Sequence, residues 1–251
     1  MNKLLELKNV SLTYQTIDDE ISAIRDLSFE CEEGSFLSII GPSGCGKTTI
    51  LSLIAGLLKP TSGEIIINDI DGDNSKTNIG YMLQKDQLFP WRTIEKNVYL
   101  PLEIQKKNTE ENRKYALYLL KKYGLENFIK NYPSELSGGM RQRVALIRTL
   151  ASKPKLLLLD EPFSALDSQT RLVVCDDVYK IIKEEKKTAV LVTHDISEAI
   201  SMSDKIIVLT DRPSKVKSIF IPNVEGTTPI KKREHPSFSI WFEKIWKELN
   251  Q

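Results

Sequence analysis

The hydrophobic residues of the chain follow two different patterns. Apolar runs of strand length occur at residues 36–40, 79–83, 156–160, 188–193 and 205–209. Runs of this kind are typical of parallel strands that are buried on both faces. Residues 110–123 instead place Ala116, Leu117, Leu119, Leu120 and Tyr123 at helical spacing. Strands that alternate with helices predict an α/β fold.

The same patterns predict how the chain is organised. Strands are expected at 4–10, 21–31 and 63–67, an edge strand at 216–221, and helices at 168–185, 196–202 and 236–249. Between residues 85 and 153 the pattern becomes helical. We therefore expect a single domain over 1–251, with an α/β core formed by 1–84 and 154–251 and an inserted α-helical subdomain at 85–153.

A glycine-rich loop follows the first core strand. Residues 41–48 read G-P-S-G-C-G-K-T, between the strand at 36–40 and a helix expected at 48–56. This is the strand, loop and helix order that the phosphate-binding G-x-x-x-x-G-K-[ST] motif requires, whereas a glycine-rich turn with a chance lysine requires neither element. The residues expected to contact a nucleotide are Gly41, Pro42, Ser43, Gly44, Cys45, Gly46, Lys47, Thr48 and Thr49.

The chemistry of this loop suits a polyphosphate with Mg²⁺. Glycines let backbone N–H groups turn toward the phosphates, and the unpaired amides at the helix start add positive potential. Lys47 would supply charge to the β- and γ-phosphates, and the Thr48 hydroxyl would bind Mg²⁺.

Two acids end the leucine-rich strand at 156–160. Asp160 and Glu161 are neighbours, and neighbours on a strand point to opposite sides. We therefore assign Asp160 to the Mg²⁺ shell and Glu161 to the attacking water as general base. The alternative, a helix cap after a core strand, does not explain why two acids are present.

Further motifs complete a resemblance that covers nearly the whole chain. They are Tyr14, Gln84 in Y-M-L-Q, L-S-G-G at 136–139, S-A-L-D at 164–167 and His194 in T-H-D. In order and spacing the chain resembles the ATP-binding subunit of an ABC transporter, which implies a P-loop NTPase (RecA-like) core with an N-terminal antiparallel β subdomain.

The resemblance implies roles for individual residues. Gln84 would sense the metal and the water, His194 would touch the γ-phosphate, and both would join Glu161 and Lys47 in catalysis. Tyr14 would stack on adenine, although a strand-end aromatic remains an alternative.

The L-S-G-G run is a second possible phosphate site. Ser137 is a good N-cap, and Gly138 and Gly139 leave the first amides of the next helix bare. The residues alone indicate only a second anion site. The resemblance implies a head-to-tail dimer in which Ser137, Gly138, Gly139 and Gln142 contact the ATP of the other chain.

Aromatic residues follow Gln84. The segment L-F-P-W at 88–91 could cap the helical subdomain. The resemblance implies instead that Phe89 and Trp91 line a groove for a permease helix. The L-x-P-W form, together with T-D-R-P at 210–213 and H-P-S-F at 235–238, resembles the sequences of the nitrate, sulfonate and taurine importer branch. Ile147 and Thr149 depart from the pattern of that branch.

Composition narrows the class of protein. The 35 basic and 34 acidic residues give a net charge of +1, which argues against nucleic-acid binding driven by a basic field. The three scattered cysteines lack disulfide or metal spacing and are expected to be reduced thiols. Of these, Cys45 is expected to favour the thiolate because it lies near a helix N-terminus.

No membrane segment is apparent in the sequence. No run reaches about 18 apolar residues, and residues 1–8 lack the apolar region of a signal peptide. The membrane part of a transporter would then be a separate chain.

We expect an ATP-hydrolysing subunit of an ABC importer that uses ATP and Mg²⁺. The expected assembly is a homodimer or cassette dimer with two permease subunits and an extracytoplasmic solute-binding protein, on the cytoplasmic face of the membrane and without nucleic acid. Two alternatives remain. A soluble, non-transport ABC ATPase would need a coiled coil or a second cassette, and a nucleotide-dependent regulatory module would be expected to lack Glu161 or His194.

Overall fold

The computed structural model of the protein describes residues 2–15, 19–68 and 79–250. The expected range 1–84 therefore includes segments that lie outside the described residues.

A six-stranded sheet forms the centre of the protein. Its order is β5-β6-β7-β3-β8-β9, and its strands are β3 (Phe36–Ile40), β5 (Ile79–Met82), β6 (Leu156–Asp160), β7 (Thr188–Val192), β8 (Lys205–Leu209) and β9 (Val216–Phe220). Five strands are parallel and β9 is antiparallel at the edge. The predicted positions of these six strands are confirmed to within one residue, and the carboxyl ends of the five parallel strands meet along one edge.

A second, antiparallel sheet precedes the core. It has the order β2-β1-β4, with β1 (Lys3–Gln15), β2 (Glu20–Glu32) and β4 (Ser62–Ile67). The stretch 63–67 had only a hairpin-like pattern, and the structure shows that it pairs with β1 rather than with its sequence neighbours.

Eight α-helices complete the described part of the chain. They are α1 (Lys47–Ile54), α2 (Ile94–Ile104), α3 (Glu110–Lys122), α4 (Gly138–Ala151), α5 (Ser168–Glu184), α6 (Ile196–Met202), α7 (Pro229–Glu234) and α8 (Ser237–Asn250). The three helices α2, α3 and α4 occupy the segment that was predicted to be helical. The short helix α7 was not predicted.

The central sheet has a hydrophobic core on each face. Along β6, Leu157 and Leu159 pack with the helices α2 to α5, whereas Leu156 and Leu158 pack with α1 and the antiparallel sheet. This alternation follows from strand geometry and explains why the four positions of β6 before Asp160 are all leucine.

The end of α5 joins the helical segment to the core. Glu185 accepts hydrogen bonds from Lys122 (2.9 Å), Tyr115 (3.0 Å) and Tyr123 (2.8 Å). Although partial burial opposes the change, the hydrogen bonds from Lys122 and the two tyrosines lower the pKa of Glu185. Although Glu185 belongs to the highly charged run at 183–187, only 13% of its side chain is exposed.

Among the described residues, no helix is both long enough and apolar enough to cross a bilayer.

Candidate functional site

The glycine-rich loop wraps around the start of α1. Gly44 and Gly46 have φ angles of +77° and +110°, which glycine adopts without strain. A Cβ on Gly41 would lie 3.0 Å from both Cys45 Sγ and Leu209 Cβ, so the loop is also packed too tightly there for a side chain. The amides at the start of α1 are thereby held in a tight turn, as anion binding requires.

Lys47 is buried at this loop. Its Nζ donates to the carbonyl oxygens of Gly41 (2.9 Å) and Pro42 (2.8 Å). An ammonium group has three donors, so two of them fix its position within the loop. The structure therefore places the buried ammonium group of Lys47 beside the backbone amides at the start of α1.

Asp160 faces the loop from the end of β6. Its two oxygens accept from Thr48 Oγ1 (3.1 Å) and Tyr81 OH (3.4 Å). Burial raises the pKa of Asp160, because these neutral donors compensate its charge only in part. A hydroxyl and a carboxylate are the oxygen ligands that Mg²⁺ prefers, so these residues fit that ion.

The protein supplies only part of a metal shell. Within residues 2–15, 19–68 and 79–250, no cluster of three or more His, Cys, Asp and Glu side chains could hold a metal ion by itself. Mg²⁺ commonly takes its remaining ligands from phosphates and water, so this arrangement also fits a metal–nucleotide complex.

Glu161 leaves the strand in an unusual conformation. Its φ of +43° lies in the left-handed region, and its N–H donates to the Val192 carbonyl at 2.9 Å. Non-glycine residues held in this region cluster at functional sites. The sequence argument from strand alternation was therefore wrong in its reason, because a turn rather than the pleat separates Glu161 from Asp160.

His194 lies next to Glu161. Its Nδ1 is 3.1 Å from Glu161 Oε2. The histidine is largely exposed, whereas the carboxylate is mostly covered. Two predicted catalytic residues from adjacent strands thus form one pair.

Gln84 is connected to Glu161 through Ser164, a residue to which the sequence reasoning gave no role of its own. Gln84 Nε2 donates to Ser164 Oγ (3.2 Å), and Ser164 Oγ donates to the Glu161 carbonyl (2.9 Å). Ser164 was recognised only as part of S-A-L-D, and the structure gives it a contact of its own.

Two side chains flank the phosphate-binding loop. Tyr14 OH lies 3.5 Å from Thr49 Oγ1 on the first turn of α1, and its ring is 39% exposed. Its adenine-stacking role stays a prediction. Arg212 donates to the Gly44 carbonyl at 2.7 Å. This contact was missed, although T-D-R-P had been noted as a motif.

The expectation for Cys45 was wrong. Only 2% of this residue is exposed, and burial raises the pKa of its thiol, with partial opposition from Lys47. Desolvation outweighs the helix N-terminus, because a thiolate in a close-packed site loses its hydration. All three cysteines are buried free thiols.

The L-S-G-G run begins α4. Ser137 caps the helix by accepting from Met140 N (3.3 Å). A Cβ on Gly139 would lie 2.7 Å from Val174 Cγ2, and one on Gly138 would lie 3.1 Å from Leu166 Cδ2. The glycines therefore allow α4 to pack closely against the start of α5, a reason that the sequence did not indicate.

Gln142 lies one turn further along α4. It is 3% exposed, and its Oε1 has no hydrogen-bond partner in the described part of the chain. Its contact with a nucleotide on another chain stays a prediction.

Phe89 and Trp91 form an aromatic pair in which Phe89 is half-buried and Trp91 is exposed. Their rings stack with centroids 4.9 Å apart, and Trp91 is 71% exposed. Buried Asn97 shapes the segment by accepting from Phe89 N (2.7 Å) and donating to the carbonyls of Phe89 and Arg92. Trp91 is therefore not part of the helical core.

Two arginines of α4 hold the segment that follows Gln84. Arg141 Nε donates to Asp86 Oδ2 (3.0 Å), and Arg148 donates to the carbonyls of Asp86 (2.6 Å) and Gln87 (2.7 Å). The L-S-G-G helix and this connecting segment are thus bound to each other.

Comparison with known proteins agrees with this geometry. Residues 24–164 match the family described as ABC transporter. An uncharacterised ABC transporter ATP-binding protein of Bacillus subtilis, YtlC, is 52% identical over 98% of this chain and 95% of its own length. The aliphatic sulfonates import ATP-binding protein SsuB of Bacillus cereus is 36% identical over 98% of this chain and 94% of its own.

A solved structure is similar as well. The ATP-binding cassette MJ0796, in a dimeric post-hydrolysis state bound to ADP and phosphate, superposes with a TM-score of 0.72 at 38% identity. The match covers 87% of this chain and 99% of that one. Fold, site geometry and relatives agree, and the chain belongs to the ABC transporter family as one of its ATPase cassettes.

Proposed function

We propose that this chain is the ATP-hydrolysing subunit of an ABC importer and drives solute uptake through a separate membrane permease. One observation carries the proposal. At one edge of the sheet, the Thr48–Asp160 pair lies beside the phosphate-binding loop, and the Glu161–His194 pair lies on the neighbouring strand ends.

The loop residues are proposed to bind ATP. The backbone around residues 41–46 and Lys47 would hold the phosphate oxygens, while Thr48 and Asp160 would hold Mg²⁺, with Gln84 as a further ligand. When bound, Mg²⁺ neutralises charge on the β- and γ-phosphates. Tyr14, whose hydroxyl lies 3.5 Å from Thr49 Oγ1, is proposed to stack on the adenine base.

Glu161 is proposed as the general base. Its carboxylate would accept the proton of a water in line with the γ-phosphate, and His194 would orient both partners. Gln84 would respond to movements of Glu161, because the Ser164 hydroxyl accepts from Gln84 and donates to the Glu161 carbonyl.

A dimer is proposed to complete the site. In it, Ser137, Gly138 and Gly139, with Gln142 behind them, would face the ATP of the other chain. The dimeric state of the cassette MJ0796 supports this arrangement. The division into a core of 1–84 and 154–251 and a helical unit of 85–153 remains part of the same proposal.

The aromatic pair is proposed to receive the permease. Trp91 is exposed to solvent and stacks on the half-buried Phe89, and large exposed aromatics are frequent anchors of interfaces. Because Arg141 and Arg148 bind the adjacent segment to α4, a movement of α4 would also move this surface.

The similarity to the sulfonate import protein SsuB supports the proposal that this chain serves an importer of the nitrate, sulfonate and taurine type. We propose two cassettes with two permease subunits and an extracytoplasmic binding protein, at the cytoplasmic face of the membrane.

A transport assay tests this function. Vesicles that contain this chain with a candidate permease and a candidate solute-binding protein would be supplied with MgATP and with an aliphatic sulfonate, taurine or nitrate. We expect ATP-dependent uptake of one of them, and none with Lys47→Ala. Hydrolysis without permease binding would favour a non-transport ATPase, and nucleotide binding without hydrolysis a regulatory module.

A further inference from the structure

Arg171 connects two loops of the site within one chain. It lies on α5, where its Nη2 donates to the Leu166 carbonyl at 2.9 Å. Its Nη1 is 3.7 Å from Oδ2 of Asp195, the residue that follows His194. The second distance is too long for a hydrogen bond and describes an ion pair. Both side chains are about three quarters covered, which strengthens their attraction relative to bulk water.

The position of Arg171 in its helix is unfavourable for a cation. The N-terminal end of a helix favours negative charge, and apart from the Asp167 cap the first turn of α5 contains no acidic residue. In addition, Arg171 Nε is buried without a hydrogen-bond partner among the described residues. Local helix stability therefore does not explain an arginine here, whereas its contacts with Leu166 and Asp195 do.

The Asp195 end of this connection is fixed to His194. Asp195 Oδ1 caps α6 by accepting from Ser197 N (2.7 Å) and Glu198 N (3.2 Å), which leaves Oδ2 toward Arg171. Asp195 N donates to Thr193 Oγ1 (3.0 Å), and that hydroxyl donates to buried Glu198 (2.6 Å). The backbone on both sides of His194 is thus held, so a shift of Asp195 would move the imidazole.

The Leu166 end is fixed to Glu161. Leu166 N donates to the Phe163 carbonyl (3.1 Å), and Ser164 in the same turn donates twice to the Glu161 carbonyl. The Leu166 side chain also packs on Gly138 at the start of α4. One guanidinium group therefore spans the turn that carries Glu161 and the loop that carries His194.

We propose that Arg171 is a positioning residue for ATP hydrolysis. Its two contacts set the distance between the turn at residues 163–167 and the loop at residues 193–195. This distance brings Glu161 and His194 into contact. Arginine suits this position because its two Nη atoms reach different partners, whereas a lysine has one nitrogen. The inference rests on the proposed roles of Glu161 and His194.

Steady-state ATP hydrolysis by the full chain tests the role of Arg171. The variants to be compared are Arg171→Gln, Arg171→Lys, Asp195→Asn and the double variant Arg171→Gln/Asp195→Asn. Asparagine still caps a helix, so Asp195→Asn removes the charge and retains the cap. We expect kcat to fall about ten- to a hundredfold in Arg171→Gln and in Asp195→Asn, with KM for MgATP nearly unchanged, since misplacement of a reacting group acts on kcat. Arg171→Lys should lie between Arg171→Gln and the unaltered chain.

The double variant is the decisive comparison. If the two residues share one contact, it should be no slower than the slower single variant. Lys180→Gln is the matched control, because it removes a cation from α5 and its 2.6 Å ion pair with Asp176. It should keep the kcat of the unaltered chain.

Several outcomes would overturn the inference. These are an unchanged kcat in Asp195→Asn, losses that multiply in the double variant, or a rise in KM alone. If Arg171→Gln fails to fold, the kcat values of Asp195→Asn and Arg171→Lys still test the role of Arg171. Glu161→Gln is measured in parallel: if it hydrolyses ATP normally, the proposed function fails, and if it is inactive while Arg171→Gln is normal, only the role of Arg171 fails.

Discussion

The Nδ1 atom of His194 lies 3.1 Å from Oε2 of Glu161, although 33 positions separate the two residues in the chain. Parallel pairing of β6 with β7 brings them together, because the carboxyl ends of both strands meet at one edge. The contact occupies Nδ1 of the ring and does not involve Nε2. It thereby orients the imidazole relative to the carboxylate.

His194→Ala should lower turnover while MgATP affinity stays close to that of the unaltered chain. The expected loss is on the order of 10² to 10³, because the variant removes an oriented polar group but no loop contact. Turnover and nucleotide affinity are measured together. His235→Ala is the control, since His235, the second of the two histidines, contacts Ser237 at the start of α8. Equal turnover in both variants would contradict the assignment of His194.

Trp91→Ala should separate the ATPase from its coupling to the permease. Because Trp91 is 71% exposed, its removal should hardly change the melting temperature or the basal hydrolysis. Loss of an aromatic anchor at an interface typically costs about 2 kcal/mol or more, so assembly with the permease and solute uptake should both fall. Co-purification with the permease measures the effect.

Trp246→Ala is a matched control for that experiment. Trp246 is also exposed and stacked on a phenylalanine, Phe242, but it lies on α8. It should leave permease assembly intact. Normal assembly and uptake in Trp91→Ala would refute the docking surface, and a large fall in its melting temperature would show a structural role.

Cys45 should react slowly with maleimides in the folded chain near neutral pH. Its raised pKa means that the reactive thiolate forms only at a higher pH than in an ordinary thiol, and burial also blocks access. Burial likewise raises the pKa of Cys31, to about 11, so that thiol should behave similarly. Mass spectrometry should show fast labelling only after unfolding. Rapid labelling of Cys45 in the folded chain would contradict its burial.

Asp160→Asn should strongly reduce hydrolysis without destabilising the fold. The pKa of Asp160 is raised in the folded state by burial, so the folded chain binds this proton more tightly than the unfolded chain does. Ionisation of Asp160 therefore destabilises the fold at neutral pH, and the variant should melt at the same or a higher temperature. Any difference should vanish as the pH falls below the ordinary pKa of an aspartic acid, about 4.

Loss of a metal-binding carboxylate should reduce turnover by roughly a hundredfold or more. Turnover and melting curves at pH 7 and below pH 4 test both parts. A marked fall in melting temperature at pH 7 would contradict the account of the buried charge.

The central strands and the phosphate-binding loop were predictable because their signals are local. The run at 156–159 is leucine at every position, and the loop at 41–48 has fixed spacing next to a strand. The state of Cys45 was not predictable, since its helix position favoured the thiolate and only packing against Gly41 and Leu209 shows the burial that outweighs it.

Contacts between distant segments were also out of reach. Arg171 and Asp195 are far apart in sequence, and neither residue stands out by its local pattern. Glu185 belongs to a highly charged run that predicts solvent exposure, yet tyrosines from α3 cover it. In both cases tertiary packing decides the role of a charged side chain.

The most direct test of the account is hydrolysis by Glu161→Gln. Glutamine retains the size of the side chain and leaves Lys47 and Thr48, the residues proposed to hold phosphate and Mg²⁺, unchanged, but it cannot accept the proton of the attacking water. Turnover should fall by a factor on the order of 10² to 10⁴, while MgATP affinity is retained and an ATP-bound dimer accumulates in size-exclusion chromatography. Near-normal turnover of Glu161→Gln would remove Glu161 from catalysis and contradict the proposed mechanism.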